Sequence, residues 1–297
     1  MIRAIAGAAA IALATAATPQ QQPPPPPAPV FRSGVEVVEL DVAVMRGGVP
    51  VPGLTSRDFV LTDNGVAQDV DSVTLDRLPL SVTLLLDTST SVAGERLGHL
   101  RQAGEGLVEA LRPDDKVSLV TFSHSADVRV PMTDDKAAVR GALTAIQPGG
   151  STALRDALQL ALTLRTHDRS RPLLLIFTDG IDTTSWLTED AVLDTARRAG
   201  IVVHAVRVES NTFLERLVDA SGGRTWSATS DRQLRELFTR ALEEMRARYL
   251  LTYTPRGVRG AGWHELKVRL KNGRADITAR PGYFVAAPAP SGSSPPR

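Results

Sequence analysis

Cysteine is absent from the 297 residues. That removes disulfides, thiolate zinc sites, iron–sulfur clusters, a cysteine nucleophile and lipoprotein processing. Aromatic residues make up only 4% of the chain, too few for a base-stacking platform. Neither sign of charge dominates: 34 Lys and Arg face 33 Asp and Glu, a formal net charge of +1. Nucleic-acid binding through a strong positive field is therefore not expected. Beyond the N-terminus there is no apolar run near the ~18 to 20 residues that a membrane-crossing helix needs.

The first residues read as an address. Arg3 supplies one positive charge, residues 4–14 form an Ala-rich apolar stretch, and Ala14-Thr15-Ala16 is a small-residue cleavage site. This pattern predicts a signal peptide over 1–16, an exported protein (periplasmic or extracellular), and no transmembrane segment after cleavage. Residues 17–30 are a Pro-rich linker, expected to be extended. Residues 287–297 read as a disordered Pro/Ser-rich tail.

Between these lie three segments of different period. Over 31–78, Val38, Leu40, Val42 and Val44 alternate with smaller or polar residues, as in a half-buried strand. Val35 and Val37 fall on the opposite parity, which suggests a bulge at 37–38. Gly47-Gly48 and Asn64-Gly65 mark turns. Over 79–247 the pattern becomes continuous apolar runs alternating with helical spacing. Val82–Leu86, Val117–Phe122, Leu173–Phe177 and Ile201–Val206 read as buried strands, and Val128–Val130 as a short one. Leu97, Leu100, Ala103, Leu107 and Leu111 recur at helical spacing. Further helices are expected at 134–146, 153–166, 189–199 (Thr188 as N-cap, Gly200 as stop), 211–220 and 231–247, the last opened by a Ser230/Gln233 capping box. Its charged residues, Glu244 among them, read as a solvated face. Over 248–286, Leu266, Val268 and Leu270 alternate again, and Asn272-Gly273 predicts a hairpin to a return strand at 275–279. The fold class is therefore α/β: a doubly wound, mostly parallel sheet, inserted in a small all-β unit that the flanking segments 31–78 and 248–286 form together.

Three loops should meet at the carboxyl ends of the parallel strands, where ligands bind in open sheets of this kind. They carry Asp87, Ser89 and Ser91; Thr152 after Gly149-Gly150-Ser151; and Asp179 in Thr178-Asp179-Gly180. All the donors are oxygens, which favours a hard cation, Mg2+ or Mn2+, over zinc or copper. Two carboxylates balance a divalent charge, and hydroxyls and water leave one position for an outside oxygen.

The set Asp87-x-Ser89-x-Ser91, Thr152 and Asp179 resembles the metal-ion-dependent adhesion site of von Willebrand factor A domains. The flanks resemble a bacterial group of exported proteins related to that family, through Gly53-Leu54-Thr55-Ser56-Arg57-Asp58-Phe59 before the domain and Ala279-Arg280-Pro281-Gly282-Tyr283-Phe284 after it. The resemblance implies that Ser89 and Ser91 bind the metal directly, with Thr152 also holding it. It implies that Asp87 and Asp179 bind directly or through water, and that a partner's Asp or Glu carboxylate completes the shell. The function so implied is exported, metal-dependent protein binding, in adhesion or assembly, without turnover. The rivals are an envelope scaffold whose metal only fastens loops, and a metal-dependent hydrolase.

Other residues read more plainly. His204 sits in an apolar strand and reads as core, and His124 as loop surface. No HExxH or Gly-x-Ser-x-Gly pattern exists, and no general base is expected at the rim apart from the metal ligands. Trp186, in the loop after Asp179, is a partner-binding candidate, with packing back on the next helix as the alternative. Asp182 reads as solvated.

Overall fold

The computed structural model describes residues 37–75, 78–164 and 169–286. The expected signal peptide, linker and tail lie outside the described residues, as does Val35 of the expected bulge. Among the described residues no helix is long and apolar enough to cross a membrane.

The chain opens with β1 (Val38–Arg46), β2 (Val49–Pro50), β3 (Phe59–Asp63), β4 (Val66–Gln68) and β5 (Ser72–Leu75). Gly47-Gly48 and Asn64-Gly65 form the expected tight turns, pairing β1 with β2 and β3 with β4. Asn64 and Gly65 both take positive φ, 47° and 80°, as a two-residue turn matching the strand twist requires. Only the first part of β1 alternates between buried and open. Ala43 and Met45 are buried together with Val42 and Val44, so the strand's end is covered on both faces.

The α/β part follows: β6 (Leu80–Asp87), α1 (Glu95–Ala110), β7 (Lys116–Phe122), β8 (Ala126–Thr133), α2 (Lys136–Thr144), α3 (Leu154–Thr163), β9 (Arg171–Thr178), α4 (Glu189–Ala199), β10 (Val202–Arg207), α5 (Thr212–Ser221), β11 (Arg224–Ser227) and α6 (Leu234–Arg246). The sheet order is β11-β10-β9-β6-β7-β8. All pairings are parallel except β7 with β8. The short strand expected at 128–130 is thus an eight-residue antiparallel edge. Every residue of β6 is buried, because helices cover both faces. Leu84 and Leu86 pack with α1, α2 and α6, and Leu85 with α3, α4 and α5. Thr188 caps α4 through Ala191 N–H and Gly200 ends it, as the sequence predicts.

Two expectations fail around α6. Ser230 makes no side-chain cap, and a 3-10 turn at Asp231–Gln233 precedes the helix. Gln233 instead accepts from the N–H and hydroxyl of Thr229, at 3.1 and 3.0 Å. Glu244 is buried, not solvated: it lies 2.5 Å from His204 Nε2 and 3.0 Å from Arg248.

The chain then returns to β structure with β12 (Tyr249–Tyr253), β13 (Gly262–Leu270), β14 (Asp276–Thr278) and β15 (Gly282–Val285). These join the opening strands in two sheets, β14-β1-β12-β5 and β15-β13-β3-β4, with Leu40, Leu61, Leu251 and Tyr253 in the shared core. The α/β part leaves after β5 and re-enters at β12, and those two strands pair directly. The insertion thus occupies one opening in the β unit. The expected hairpin at Asn272-Gly273 does not form. β13 pairs with β15 over Gly262–Glu265 and with β3 over Leu266–Leu270, and β14, instead of returning along β13, crosses to the other sheet and pairs with β1. Within the β unit, Asp63 is buried and accepts from the hydroxyls of Tyr253 and Tyr283, both at 2.8 Å, with His264 Nδ1 2.9 Å away. Burial pushes the Tyr283 phenol up to about 12 and Tyr253 higher still, so both keep their protons for Asp63.

Candidate metal centre

β6 lies between β9 and β7, and the chain leaves it on one side and returns on the other, so a crevice opens at its carboxyl end. Asp87, the last residue of β6, projects there and is fully buried. One of its oxygens accepts from Ser89 N–H at 2.9 Å, the other from the Thr178 hydroxyl at 2.8 Å. Ser89 and Ser91 hydroxyls lie 2.9 Å apart, and Ser91 donates to Asp179 Oδ1 at 2.8 Å. A chain of contacts therefore joins Asp87, Ser89, Ser91 and Asp179. Thr152 is buried on the adjoining loop, and that loop is tied to the first: Gly150 carbonyl accepts from Thr90 N–H at 3.0 Å, and Gly149 N–H donates to Thr88 carbonyl at 2.8 Å. Thr152 is bound to the third loop, its N–H donating to the Thr183 hydroxyl at 3.0 Å and its carbonyl accepting from Thr183 N–H at 2.8 Å. No hydrogen bond joins its side chain to the other four residues.

The electrostatics fit a cation. Burial pushes the Asp87 carboxyl up. Hydrogen bonds from Ser89 and Thr178 offset part of that, and the neighbouring Asp179 adds to the rise. No basic side chain pairs with Asp87 among the described residues, so a buried carboxylate lacks a counter-charge. Hydroxyls and carboxylates without sulfur or imidazole are the donor set of a hard metal. No group of three or more His, Cys, Asp or Glu arranged for a metal occurs among the described residues, so hydroxyls must supply much of any coordination.

Several rim residues escaped the sequence reading. Thr178 orients Asp87. Arg96, on α1, forms an ion pair with Asp179 and a second one, at 3.0 Å, with Asp231. The two contacts span 83 and 135 residues of chain, and no local pattern announces them. Asp182 is not solvated: it accepts from Arg155 N–H at 2.9 Å and from Arg155 Nη2 at 3.0 Å. Partial burial alone would raise its carboxyl, but the bonds from Ser185 and Arg155 outweigh that and hold it below its ordinary value. Asp156 accepts from Trp186 and Leu187 N–H, both at 3.0 Å. The loop backbone is thereby fixed while the Trp186 side chain stands 94% exposed, with Ile181 62% exposed on the same loop. Packing of Trp186 back on the next helix does not occur. His204 is fully buried, as expected. His124 is exposed, as expected, but lies against Gly150, where an added Cβ would sit 2.8 Å from its Nδ1. The rim therefore carries an imidazole besides its carboxylates and hydroxyls.

Residues 82–181 match the family model of the von Willebrand factor type A domain. The chain is 33% identical over 88 residues to an uncharacterized protein of Synechocystis, sll0103, covering 29% of this chain and 21% of that protein. It is 31% identical over 117 residues to a UPF0353 protein of Mycolicibacterium paratuberculosis, covering 37% and 34%. The chain thus spans about a fifth and a third of the lengths of these two relatives. Among solved structures, a von Willebrand factor type A protein from Catenulispora acidiphila aligns with a TM-score of 0.52 at 11% identity, over 79% of this chain and 74% of that one. At that identity the likeness is one of fold.

Proposed function

We infer, from a chain that carries a von Willebrand factor type A domain, that the rim of its α/β sheet is a divalent-metal-dependent protein-binding site. The observation that carries this is the buried Asp87 carboxylate, without a basic partner, joined through Ser89 and Ser91 to Asp179. Asp87, Ser89, Ser91, Thr152 and Asp179 would hold Mg2+ or Mn2+. The bound cation would offer a position to a carboxylate oxygen from a partner's Asp or Glu. An anionic oxygen gains most at a cation already desolvated on its protein side.

Trp186 and Ile181 add an apolar contact beside that position. A large aromatic held out by a fixed backbone loses little freedom on binding, which suits an interface anchor. The partner segment would therefore combine an acidic residue with an apolar one. The rival in which the metal merely fastens loops is disfavoured, since Thr88, Thr90, Thr152 and Thr183 already tie the three loops together. The hydrolase reading would need His124 as a base and is tested alongside. Export, as the N-terminal residues imply, would place this site in the periplasm or outside the cell.

The experiment is capture of the native partner from source extract, with and without chelator. Capture should need Mg2+ or Mn2+, vanish in Thr152→Ala with the fold intact, and weaken in Trp186→Ala. Capture that persists in chelator and in Thr152→Ala would overturn the reading. Ester or phosphoester turnover lost in His124→Ala would replace it with the hydrolase.

A further inference from the structure

A second cavity, of about 850 Å³, lies at the opposite end of the α/β sheet, where the strands begin and the β unit abuts them. Arg169, Arg171 and Pro172 at the start of β9 line it, as do Arg197 and Arg198 at the end of α4 and Arg280 before β15. Against these five arginines the lining sets two acids, Glu39 and Asp41. In a chain of net charge +1, this is a local concentration of positive charge.

Two of the arginines have structural duties. Arg171 donates through Nε to Asp41 at 2.8 Å, joining β9 to β1. Arg197 pairs with Asp194 of its own helix at 3.1 Å. The other three have no carboxylate partner among the described residues. Arg169 is exposed. Arg198 lies over the Phe284 ring at 3.7 Å. Arg280 donates to the Glu39 carbonyl at 2.7 Å, and its buried Nε has no hydrogen-bond partner. A buried, unpartnered donor on a charged group needs an explanation. Burial also pushes the Arg280 guanidinium down, although Asp41, the two tyrosines and Glu39 oppose this.

The cleft is fixed in place before any ligand arrives. Gly222 has φ +72°, and a Cβ there would come within 2.1 Å of Arg280 N, so the Arg280 backbone is seated against the end of α5. Phe284, under Arg198, is held edge-on by Trp263 at 5.2 Å. The sequence motif Ala279–Phe284, which the metal rim does not use, is thus what builds one wall. Complementing the negative end of α4 could account for Arg197 and Arg198, but not for Arg169 and Arg280.

We propose that this cleft is a binding site for a compact anion bearing several phosphate or sulfate groups, held by Arg169, Arg198 and Arg280. A guanidinium matches a tetrahedral oxyanion bidentately. Three such forks converging on one cavity call for several oxyanions on one small scaffold. A single small anion would leave most of them unmet, and an acidic peptide delivers one charge per side chain. The site is independent of the metal rim.

The test is isothermal titration of the full-length chain at low salt with inorganic tripolyphosphate, with sucrose octasulfate, and with a triglutamate peptide. At least one of the first two binds, more weakly as salt rises, and which one it is separates a phosphate source from a sulfate source. Arg169→Gln/Arg198→Gln weakens that binding roughly tenfold or more, with its melting temperature recorded as a check of folding. Arg198→Lys, which keeps the charge and loses the fork, weakens it less. Thr152→Ala, at the other rim, leaves it unchanged. The proposal is overturned if neither polyanion binds, if the double variant binds like the parent, or if triglutamate binds as tightly.

Discussion

Arg96 pairs with one oxygen of Asp179 while Ser91 donates to the other at 2.8 Å. One carboxylate is thus shared between an internal cation and the proposed metal set. Arg96 also reaches Asp231, ahead of α6, at 3.0 Å, so its position does not depend on Asp179 alone. A positive charge so close to a divalent ion opposes its binding. Arg96→Gln should therefore tighten Mn2+ affinity by on the order of 1–2 kcal/mol, roughly tenfold, at the effective dielectric of a protein rim. Titration calorimetry reads this directly. Weakened affinity would show instead that Arg96 serves to aim Asp179.

Asp87 makes an opposite pair of demands on the apo and metal-bound protein. Burial raises its carboxyl, so the charged form is costly while no cation is bound. Asp87→Asn should leave the metal-free protein as stable as the parent or more so. The variant should also lose the stabilisation by Mg2+, about 2.7 kcal/mol at 100 times the dissociation constant. Thermal melts with and without millimolar Mg2+ decide it. A variant that still gains stability from metal would remove Asp87 from the site.

The elements that were legible in the sequence are those whose signal is local. The β6 run, the α1 spacing and the Thr188/Gly200 boundaries of α4 depend on neighbours in the chain, and the structure has them. The turn at Asn272-Gly273 shows the limit: a dipeptide can specify a bend, but not which strand lies alongside, and the chain after it pairs with the distant β1 through Ala43, Val44 and Met45. Glu244 departs from the expected solvated face for a related reason. It sits among the charged residues of α6, and the distant His204, together with Arg248 one turn further along the chain, makes it a buried group. At the rim, the spacing of Asp87, Ser89 and Ser91, the position of Thr152 in the loop before α3 and the strand-end position of Asp179 are legible in the sequence. Arg96 and Thr178 are not, because their roles exist only after three loops converge.

Asp156 fixes the loop that carries Trp186 without touching the rim itself. Its two oxygens accept from Leu187 and Trp186 N–H, each at 3.0 Å. Asp156→Ala should cost about 1–3 kcal/mol and speed amide exchange at 186 and 187. Partner affinity should fall while metal affinity stays unchanged, because the tryptophan is still present but no longer held out. Unchanged exchange at those two amides would mean that the loop is fixed elsewhere, by Asp182 and Arg155.

His204 and Glu244 set the acid sensitivity of the fold. His204 Nδ1 accepts from Arg224 N–H at 3.1 Å, so the ring's proton sits on Nε2, facing Glu244. Burial holds His204 below its ordinary 6.5 despite that carboxylate. Burial alone would raise Glu244, but His204 and Arg248 hold it well below 4.5. In both cases the unfolded chain takes up a proton that the folded one refuses. Their stability is therefore complete above about pH 6.5 and is lost as pH falls, first through His204 and then, below about 4.5, through Glu244. Each proton changes the unfolding free energy by at most about 1.4 kcal/mol per pH unit. Urea unfolding at pH 7.5, 5.5 and 4 should show this decline, and His204→Asn should flatten its upper part. Glu244→Gln should destabilise by about 3–5 kcal/mol at pH 7.5, since it leaves the buried Arg248 guanidinium without a counter-charge. A stability that is level from pH 7.5 to 5.5 in the parent would show that His204 titrates alike in the folded and unfolded chains.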